Sequence, residues 1–336
     1  MVNWQMELIT TNTLLLIPTY TIHLYHFING NISSLDKIMD GIDVNKIAIV
    51  TGSSSGIGLE TSLTLAENNF TTYATMRNLD KASNILEVAE RKNLPINVVQ
   101  LDVTDDTSVQ QAIQFVFEKE GRIDLLVNNA GYALLGAAED LSSEDIQAQF
   151  NTNLFGVYRT IKEVIPIMRK QAGGGTIINI GSVNGFVASP CASAYVATKF
   201  ALEGLTQSLR YELAPFGIKV TIIDAGAIKT NIITNGMRIP KKIEEQRRQQ
   251  QQQKNTNTSP FAEMTINILE KSKTVISNGS HPRVVADIVL KADKAEKPQP
   301  RYSAGDDAEK LLETRRQMTD VEFEEFIQAL LLEDKK

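Results

Sequence analysis

The chain reads as an α/β protein: one doubly wound parallel sheet with helices on both faces, in a single domain. Three observations predict this. Short apolar runs at 47–50, 71–76, 96–101, 123–127, 176–180 and 218–223 alternate with helix-length amphipathic stretches at about 56–68, 79–92, 105–119, 143–171 and 192–214. Such alternation is the pattern of βαβ units, and right-handed crossovers wind those units around one parallel sheet. Six runs in unbroken alternation favour one domain over two. Finally, two of the runs end in small and amide residues, which suits the carboxyl edge of an open sheet, where ligands bind.

The first run enters Thr51-Gly52-Ser53-Ser54-Ser55-Gly56-Ile57-Gly58, and a helix follows. A glycine-rich turn between a first strand and a first helix is the context a dinucleotide site needs, and it marks the sheet as Rossmann-type. Gly52 permits the tight turn, Gly56 lets the backbone approach a pyrophosphate, and Gly58 allows close helix packing. The helix N-terminus offers free N–H groups to an anion. Three residues separate the first two glycines instead of one, unlike the G-x-G-x-x-G of many dehydrogenases.

The second run ends at Met76-Arg77-Asn78, where an NAD site commonly places a carboxylate for the ribose 2′-hydroxyl. No carboxylate stands there. Arg77 is suited to a 2′-phosphate through a charge-assisted contact, so NADP(H) is expected over NAD(H). The fourth run, Ile123-Asp124-Leu125-Leu126-Val127, is long enough for a buried strand and short for a helix. It closes with Asn128-Asn129-Ala130-Gly131, a binding ledge of small residues that allow close approach and amides that hydrogen-bond.

Tyr195 and Lys199 are spaced i, i+4 and share one helix face. The same spacing occurs at Tyr158 and Lys162, which fall mid-helix and read as a solvated or interface pair. Tyr195 differs by following Ser182, which lies just past the fifth run. Bringing a phenol from its pKa of about 10 to neutrality takes roughly 4 kcal/mol. One ammonium at about 4 Å, at an effective dielectric near 20, supplies about that much. Lys199, aided by an oxidised nicotinamide, is thus expected to make Tyr195 a general acid/base, with Ser182 on the substrate oxygen.

These residues together make the chain resemble the short-chain dehydrogenase/reductase (SDR) family, of the compact classical type, over about residues 46–230. The match rests on the Thr51 to Gly58 loop, Asp102, Asn128 to Gly131, Asn153, Ser182, Tyr195 and Lys199. Extended relatives that epimerise sugar nucleotides space the glycine loop differently. The resemblance implies a catalytic set of Asn153, Ser182, Tyr195 and Lys199, Asn153 positioning a proton-relay water. It implies a cofactor cradle of Gly52, Ser54, Ser55, Gly56, Ile57, Gly58, Arg77, Asp102, Val103, Asn129, Ala130, Gly131, Tyr195, Lys199, Gly226, Ile228 and Thr230. Within it, Asp102 touches the adenine, Lys199 the nicotinamide ribose, and Gly226 and Thr230 lie near the carboxamide and phosphates. The family usually carries Pro-Gly after the sixth strand; here it is Ala225-Gly226, which puts the rigidity of that loop in question.

The implied activity is interconversion of a carbonyl and an alcohol by hydride transfer with a nicotinamide cofactor. A rival reading from another class is a redox-sensing regulator that binds cofactor without turnover. The partner is a small alcohol or carbonyl compound, with Val183, Phe186 and Val187 hinting at an apolar one. Substrate walls are expected from 183–194 and 227–265. The helices at 143–171 and 192–214 pair subunits in the family, so a homodimer or homotetramer is expected.

Composition sets the bounds. Hydrophobic residues are 42% and charged residues 22%, and the net charge of −6 argues against a nucleic-acid surface. One cysteine, Cys191, rules out an internal disulfide, and three scattered histidines give no zinc pattern, so no metal is expected. Cys191 reads as a small packing residue, since no histidine is near it in sequence to make it a nucleophile. A reducing cytoplasm is the simplest compartment. Residues 1–44 read as a poorly ordered extension in preference to a membrane anchor, because polar residues and Pro18 interrupt the apolar stretch at 8–28. The domain proper is expected at 45–305, and 306–336 as a C-terminal helical segment. Its apolar stripe of Phe323, Phe326, Ile327 and Leu330 reads as core or subunit contact. The glutamine-rich tract at 246–253 reads as a solvated helix or loop.

Overall fold

A computed structural model describes residues 45–230, 236–240, 243–244 and 259–331. The expectations for the 1–44 extension and for the glutamine-rich tract lie outside the described residues.

Seven strands form one sheet in the order β3-β2-β1-β4-β6-β7-β9, every neighbouring pair parallel. They are β1 (Lys46–Val50), β2 (Phe70–Met76), β3 (Ile96–Gln100), β4 (Leu125–Asn128), β6 (Gly175–Ile180), β7 (Ile218–Ala225) and β9 (Arg301–Ala304). Two short strands, β5 (Ala133–Leu134) and β8 (Met237–Arg238), pair apart from it. The chain runs outward from β1 to β3, then returns to lay β4 on the other side of β1. That reversal is the topological switch point, where two loops diverge and leave a crevice.

Side chains alternate across the sheet, so each strand feeds two cores. From β1, Ile47 and Ile49 join one core and Ala48 and Val50 the other; from β4, Leu126 joins the first and Leu125 and Val127 the second. The first core is covered by α3 (Asp106–Glu120), α5 (Gly156–Met168) and α6 (Ser193–Leu213), through Ile113, Ile161 and Leu202 among others. The second is covered by α1 (Gly56–Ala66) and α8 (Arg283–Lys294), through Leu65, Val285 and Val289. The remaining helices are α2 (Ser83–Lys92), α4 (Ser143–Phe150), α7 (Ala262–Ser277), α9 (Asp306–Gln317) and α10 (Asp320–Leu331). No helix among the described residues is long and apolar enough to cross a membrane.

Local chemistry sets the helix boundaries. Asp105 caps α3 by accepting from the N–H groups of Thr107 and Ser108, and Gly121 ends it in the left-handed conformation. Ser142 and Asp145 form a reciprocal capping box at the start of α4.

Three elements differ from the sequence expectation. The stretch at 143–171 is two helices, α4 and α5, joined by a π-helical turn over Asn151–Phe155. The helix expected at 79–92 opens instead with a separate 3-10 turn, Leu79–Lys81, capped by Asn78. The sheet also has a seventh strand, β9, beyond the six apolar runs. Its four residues include Arg301 and Ser303, too short and polar a run to signal a buried strand.

The first asparagine of the ledge turns out to be structural. Asn128 is 3% exposed. Its Nδ2 donates to Asn179 Oδ1 at 2.9 Å, and its Oδ1 accepts from Thr160 Oγ1 at 2.7 Å. Asn179 Nδ2 in turn donates to Thr206 Oγ1 at 2.9 Å. This buried chain links α5, β4, β6 and α6. Asn128→Ala leaves Asn179 Oδ1 without its donor, while the Thr160 hydroxyl keeps the Val157 carbonyl at 2.9 Å, and a buried polar group without a partner costs about 1–3 kcal/mol. The expected loss is about 1–3 kcal/mol, read as a lowered midpoint in equilibrium urea unfolding; an unchanged midpoint would show that the network contributes nothing.

Candidate active site

The glycine loop is held by its neighbour across the switch point. Gly52 and Gly56 have φ of +70° and +59°, conformations that only glycine adopts without strain. Asn129 Nδ2 donates to the carbonyls of Thr51 at 2.9 Å and Gly52 at 3.2 Å. In return Thr51 Oγ1 accepts the N–H groups of Asn129 at 2.9 Å and Ala130 at 3.0 Å. The ledge therefore acts first as a clamp on the loop. Gly58 is forced by the same closeness: a Cβ there would lie 2.4 Å from Gly52 O and 2.5 Å from Asn129 Nδ2. Ser55, at the N-cap of α1, makes no side-chain cap hydrogen bond, so the helix presents amides without a side-chain acceptor.

One cleft of about 1850 Å³ runs along the carboxyl edge of the sheet. That exceeds the 300–1,000 Å³ of an ordinary small-ligand pocket, and suits a dinucleotide with a second molecule beside it. Its walls include Gly52, Ser54, Ser55, Gly56, Ile57, Arg77, Asp102, Val103, Asn129, Ala130, Gly131, Gly226, Ile228 and Thr230, with Asn153, Ser182, Tyr195 and Lys199. Of the predicted cradle, only Gly58 is not on the wall; it lies behind the loop. Arg77 is largely exposed, and its Nε is 4.0 Å from Asp102 Oδ2. Lys81, a residue without a sequence signal of its own, also lines the cleft as a second cation four positions after Arg77.

The four candidate catalytic residues come from three elements. Asn153 sits on the π-helical turn, a feature common at functional sites. Its Nδ2 donates to Tyr132 O at 2.9 Å, and its Oδ1 accepts from Tyr132 N–H at 3.1 Å, fixing the segment after Gly131. Ser182 follows β6, and its Oγ accepts from Asn184 N–H at 3.2 Å. Tyr195 and Lys199 lie one turn apart on α6. The Tyr195 phenol lies close enough to Ser182 for that hydroxyl to pull it down. Lys199 Nζ donates to Ile180 O at 2.8 Å and lies 5.8 Å from the centre of the Tyr195 ring.

The electrostatics correct a sequence expectation. Burial is the main influence on Tyr195 and pushes its phenol above the ordinary value; the Ser182 hydrogen bond pulls it down, and the Asp224 carboxylate pushes it further up. The ammonium expected to bring the phenol near neutrality is turned to Ile180. Burial also pulls Lys199 down to about 8, against the opposing pull of Asp224 and Glu203. Asp224 is pushed up to about 8 by burial first and by Glu203 next, with Arg301 and Lys199 resisting.

The loop in question for want of proline is anchored by other means. Gly226 N–H donates to Ala304 O at 2.9 Å, and Ser280 N–H to Ala227 O at 2.9 Å. Ala227 N–H donates to Asp307 Oδ2 at 2.6 Å. Segments far along the chain thus replace the local restraint.

The substrate end is lined by Val183, Val187, Leu135, Met237, Ile268 and Val275, with Asn184 and Arg238 as polar members. The Arg238 guanidinium lies 4.1 Å from the centre of the Tyr132 ring. Phe186 is not on the wall; its ring faces Arg301 at 5.6 Å. The stripe on α10 divides. Phe323 is buried and packs against Phe326 with ring centres 6.0 Å apart, and Ile327 and Leu330 line the cleft. Cys191 is half-buried, adopts φ +55°, and burial pushes its thiol up, which suits packing and not nucleophilic attack.

Comparison with known proteins agrees with this architecture. The family model described as short chain dehydrogenase matches residues 46–238. An uncharacterized oxidoreductase, YusZ, of Bacillus subtilis is 45% identical over 201 residues, covering 58% of this chain and 71% of its own length. A 3-ketodihydrosphingosine reductase of Bacteroides thetaiotaomicron is 34% identical over 260 residues, 77% of this chain and 88% of its own. A short-chain dehydrogenase structure from Streptomyces avermitilis superposes with a TM-score of 0.70 at 29% identity, covering 86% of this chain and 99% of that one. ElxO, solved with NADP bound, gives 0.60 at 27% identity, over 77% and 97%. The chain belongs to the short-chain dehydrogenase family of nicotinamide-dependent oxidoreductases.

Proposed function

We propose that the protein interconverts an apolar ketone or aldehyde and its alcohol, with NADP(H) preferred and Tyr195 as the general acid/base. The observation that carries this reading is the convergence of Ser182, Tyr195 and Lys199 at the edge of a cleft whose far end is apolar. When bound, the reduced nicotinamide supplies a hydride to the carbonyl carbon. Ser182 and Tyr195 hydrogen-bond the carbonyl oxygen and polarise it. Tyr195 gives that oxygen its phenolic proton and is left as a phenolate, which the Lys199 ammonium stabilises. The reverse direction runs the same proton back. Asn153, whose amide is engaged by Tyr132, orders the relay water through its main chain. Apolar walls at Val183, Val187 and Ile268 favour a hydrocarbon substrate and keep bulk water from the reacting carbon. Arg77 with Lys81 favours a 2′-phosphate.

Self-association fits the same reading. Phe155 and Tyr158 of the α4–α5 region are 50% and 54% exposed, and Phe200 and Tyr211 of α6 are 46% and 78% exposed. Large aromatics bared along both helices suit a subunit contact.

In a cofactor-coupled screen of apolar ketones, Tyr195→Phe should lose more than a hundredfold in kcat and still bind NADPH. A parent protein that binds NADPH tightly and turns over no carbonyl would favour the sensor reading. The ratio of kcat/KM for NADPH over NADH should fall about tenfold or more in Arg77→Ala, since a charge-assisted hydrogen bond is worth about 1.5–3 kcal/mol; an unchanged ratio removes Arg77 from cofactor choice. Light scattering on the parent should give at least a dimer mass, shifted towards monomer in Phe155→Glu; a monomeric parent would set the aromatic surface aside.

A further inference from the structure

Behind Lys199 lies a buried ionic cluster that neither the fold nor cofactor binding explains. Glu203 follows Lys199 by one turn of α6, so Tyr195, Lys199 and Glu203 form one i, i+4, i+8 row. Asp224 sits near the end of β7, is fully buried, and is so close to β6 that a Cβ on Gly181 would lie 2.2 Å from its Oδ1. Gly181 directly follows Ile180, whose carbonyl holds the Lys199 ammonium. Arg301, from β9, joins the two acids. Its Nε lies 2.8 Å from Asp224 Oδ2, and its Nη2 hydrogen-bonds Glu203 Oε2. Gly185 leaves room for Glu203, whose Cγ would be 3.1 Å from a Cβ there.

Two buried acids with a single arginine leave one negative charge uncompensated. The Lys199 ammonium offsets it, and the four groups sum to zero when all are ionised. Buried charges persist where they are paired in this way, and removing one partner strands another. The ionisable groups facing Lys199 are Tyr195 and Glu203 from its own helix and Asp224 from β7, with Arg301 of β9 behind them. The end of β6 contributes only the Ile180 carbonyl and the Ser182 hydroxyl, and the nearby Asp307 of α9 is held by Ala227 N–H.

We infer that Asp224, Glu203 and Arg301 are positioning residues that keep Lys199 protonated and in place, and so set the alkaline limit of carbonyl reduction. The inference rests on the reading of Tyr195 and Lys199 as the reacting pair. Burial pulls the ammonium towards deprotonation, and the acids, Asp224 foremost, oppose it. Removing the Asp224 charge makes Lys199 release its proton at lower pH. It also lets Tyr195 ionise at lower pH, because that charge raises the phenol. Reduction needs both protons, so both changes move the falling limb of the pH profile the same way. Proton uptake in the cluster is shared, so the limb reports the set and not one residue.

The test compares pH profiles of kcat/KM for ketone reduction in the parent, Asp224→Asn, Glu203→Gln and Arg301→Lys. Thermal melting and NADPH titration by fluorescence serve as controls for folding and cofactor binding. Asp224→Asn should keep NADPH affinity within about threefold and move the alkaline limb down by about one pH unit, a roughly tenfold loss above it. Glu203→Gln should shift it less, and Arg301→Lys, which keeps the charge without the two-pronged geometry, least. If folded Asp224→Asn and Glu203→Gln lose activity equally at every pH, or lose none, the inference is overturned and the cluster is structural. If Asp224→Asn does not fold, the Glu203→Gln limb decides alone. A Tyr195→Phe variant that keeps full activity would instead overturn the underlying reading, whatever the limbs do.

Discussion

The ammonium of Lys199 is partly buried at the wall of the cleft, and a charge drawn out of water must be answered by other charges or by dipoles. Much of the site follows from that requirement. The end of β6 supplies a carbonyl, β7 and α6 supply acids, and β9 brings an arginine to balance them. The last strand of the sheet thereby joins the surroundings of Lys199, although it lies about a hundred residues further along the chain. The same C-terminal region steadies the Gly226 loop through Ala304 and Asp307, where the family's usual proline is absent. Chemistry on α6 and structure at the C-terminus are one assembly.

The cofactor end shows a similar economy of parts. Thr51 and Asn129 exchange hydrogen bonds across the switch point, so the glycine loop and the Asn-Asn-Ala-Gly segment fix each other's shape before any ligand arrives. Preorganisation of this kind lowers the ordering cost of binding. Asn128, one residue earlier, points into the core and ties four elements together. Adjacent asparagines thus serve different ends because successive side chains along a strand face opposite sides.

Much of this was legible in the residues alone. The six apolar runs correspond to six strands, and the glycine loop stands between β1 and α1 as its spacing implied. The place of Tyr195 after Ser182 separates it from Tyr158, and in the structure Tyr195 is on the wall of the cleft while Tyr158 is exposed. What escaped was the part made by distant pairings. Arg301 sits in a four-residue strand with no apolar signature, and its partners Glu203 and Asp224 precede it by 98 and 77 positions. Periodicity is a local signal and says nothing about such contacts. One clue was present: the row of Tyr195, Lys199 and Glu203 places a glutamate one turn beyond a buried lysine. The π-helical turn at Asn153 escaped because a single wide turn of five residues is too short to set a period of its own. The expectation that Lys199, aided by an oxidised nicotinamide, offsets the cost of ionising Tyr195 took proximity into account and not burial. In the folded chain burial is the main influence on the phenol and pushes it up.

The central claim is that this cleft carries out hydride transfer to a carbonyl carbon. The most direct measurement uses NADPH deuterated at the transferring position of C4, with a ketone reduced by the protein, and mass analysis of the alcohol formed. The account predicts one deuterium on the carbinol carbon and a slowed turnover for one of the two C4 stereoisomers of the label. An alcohol without deuterium from either stereoisomer, or label appearing only in water, would contradict it.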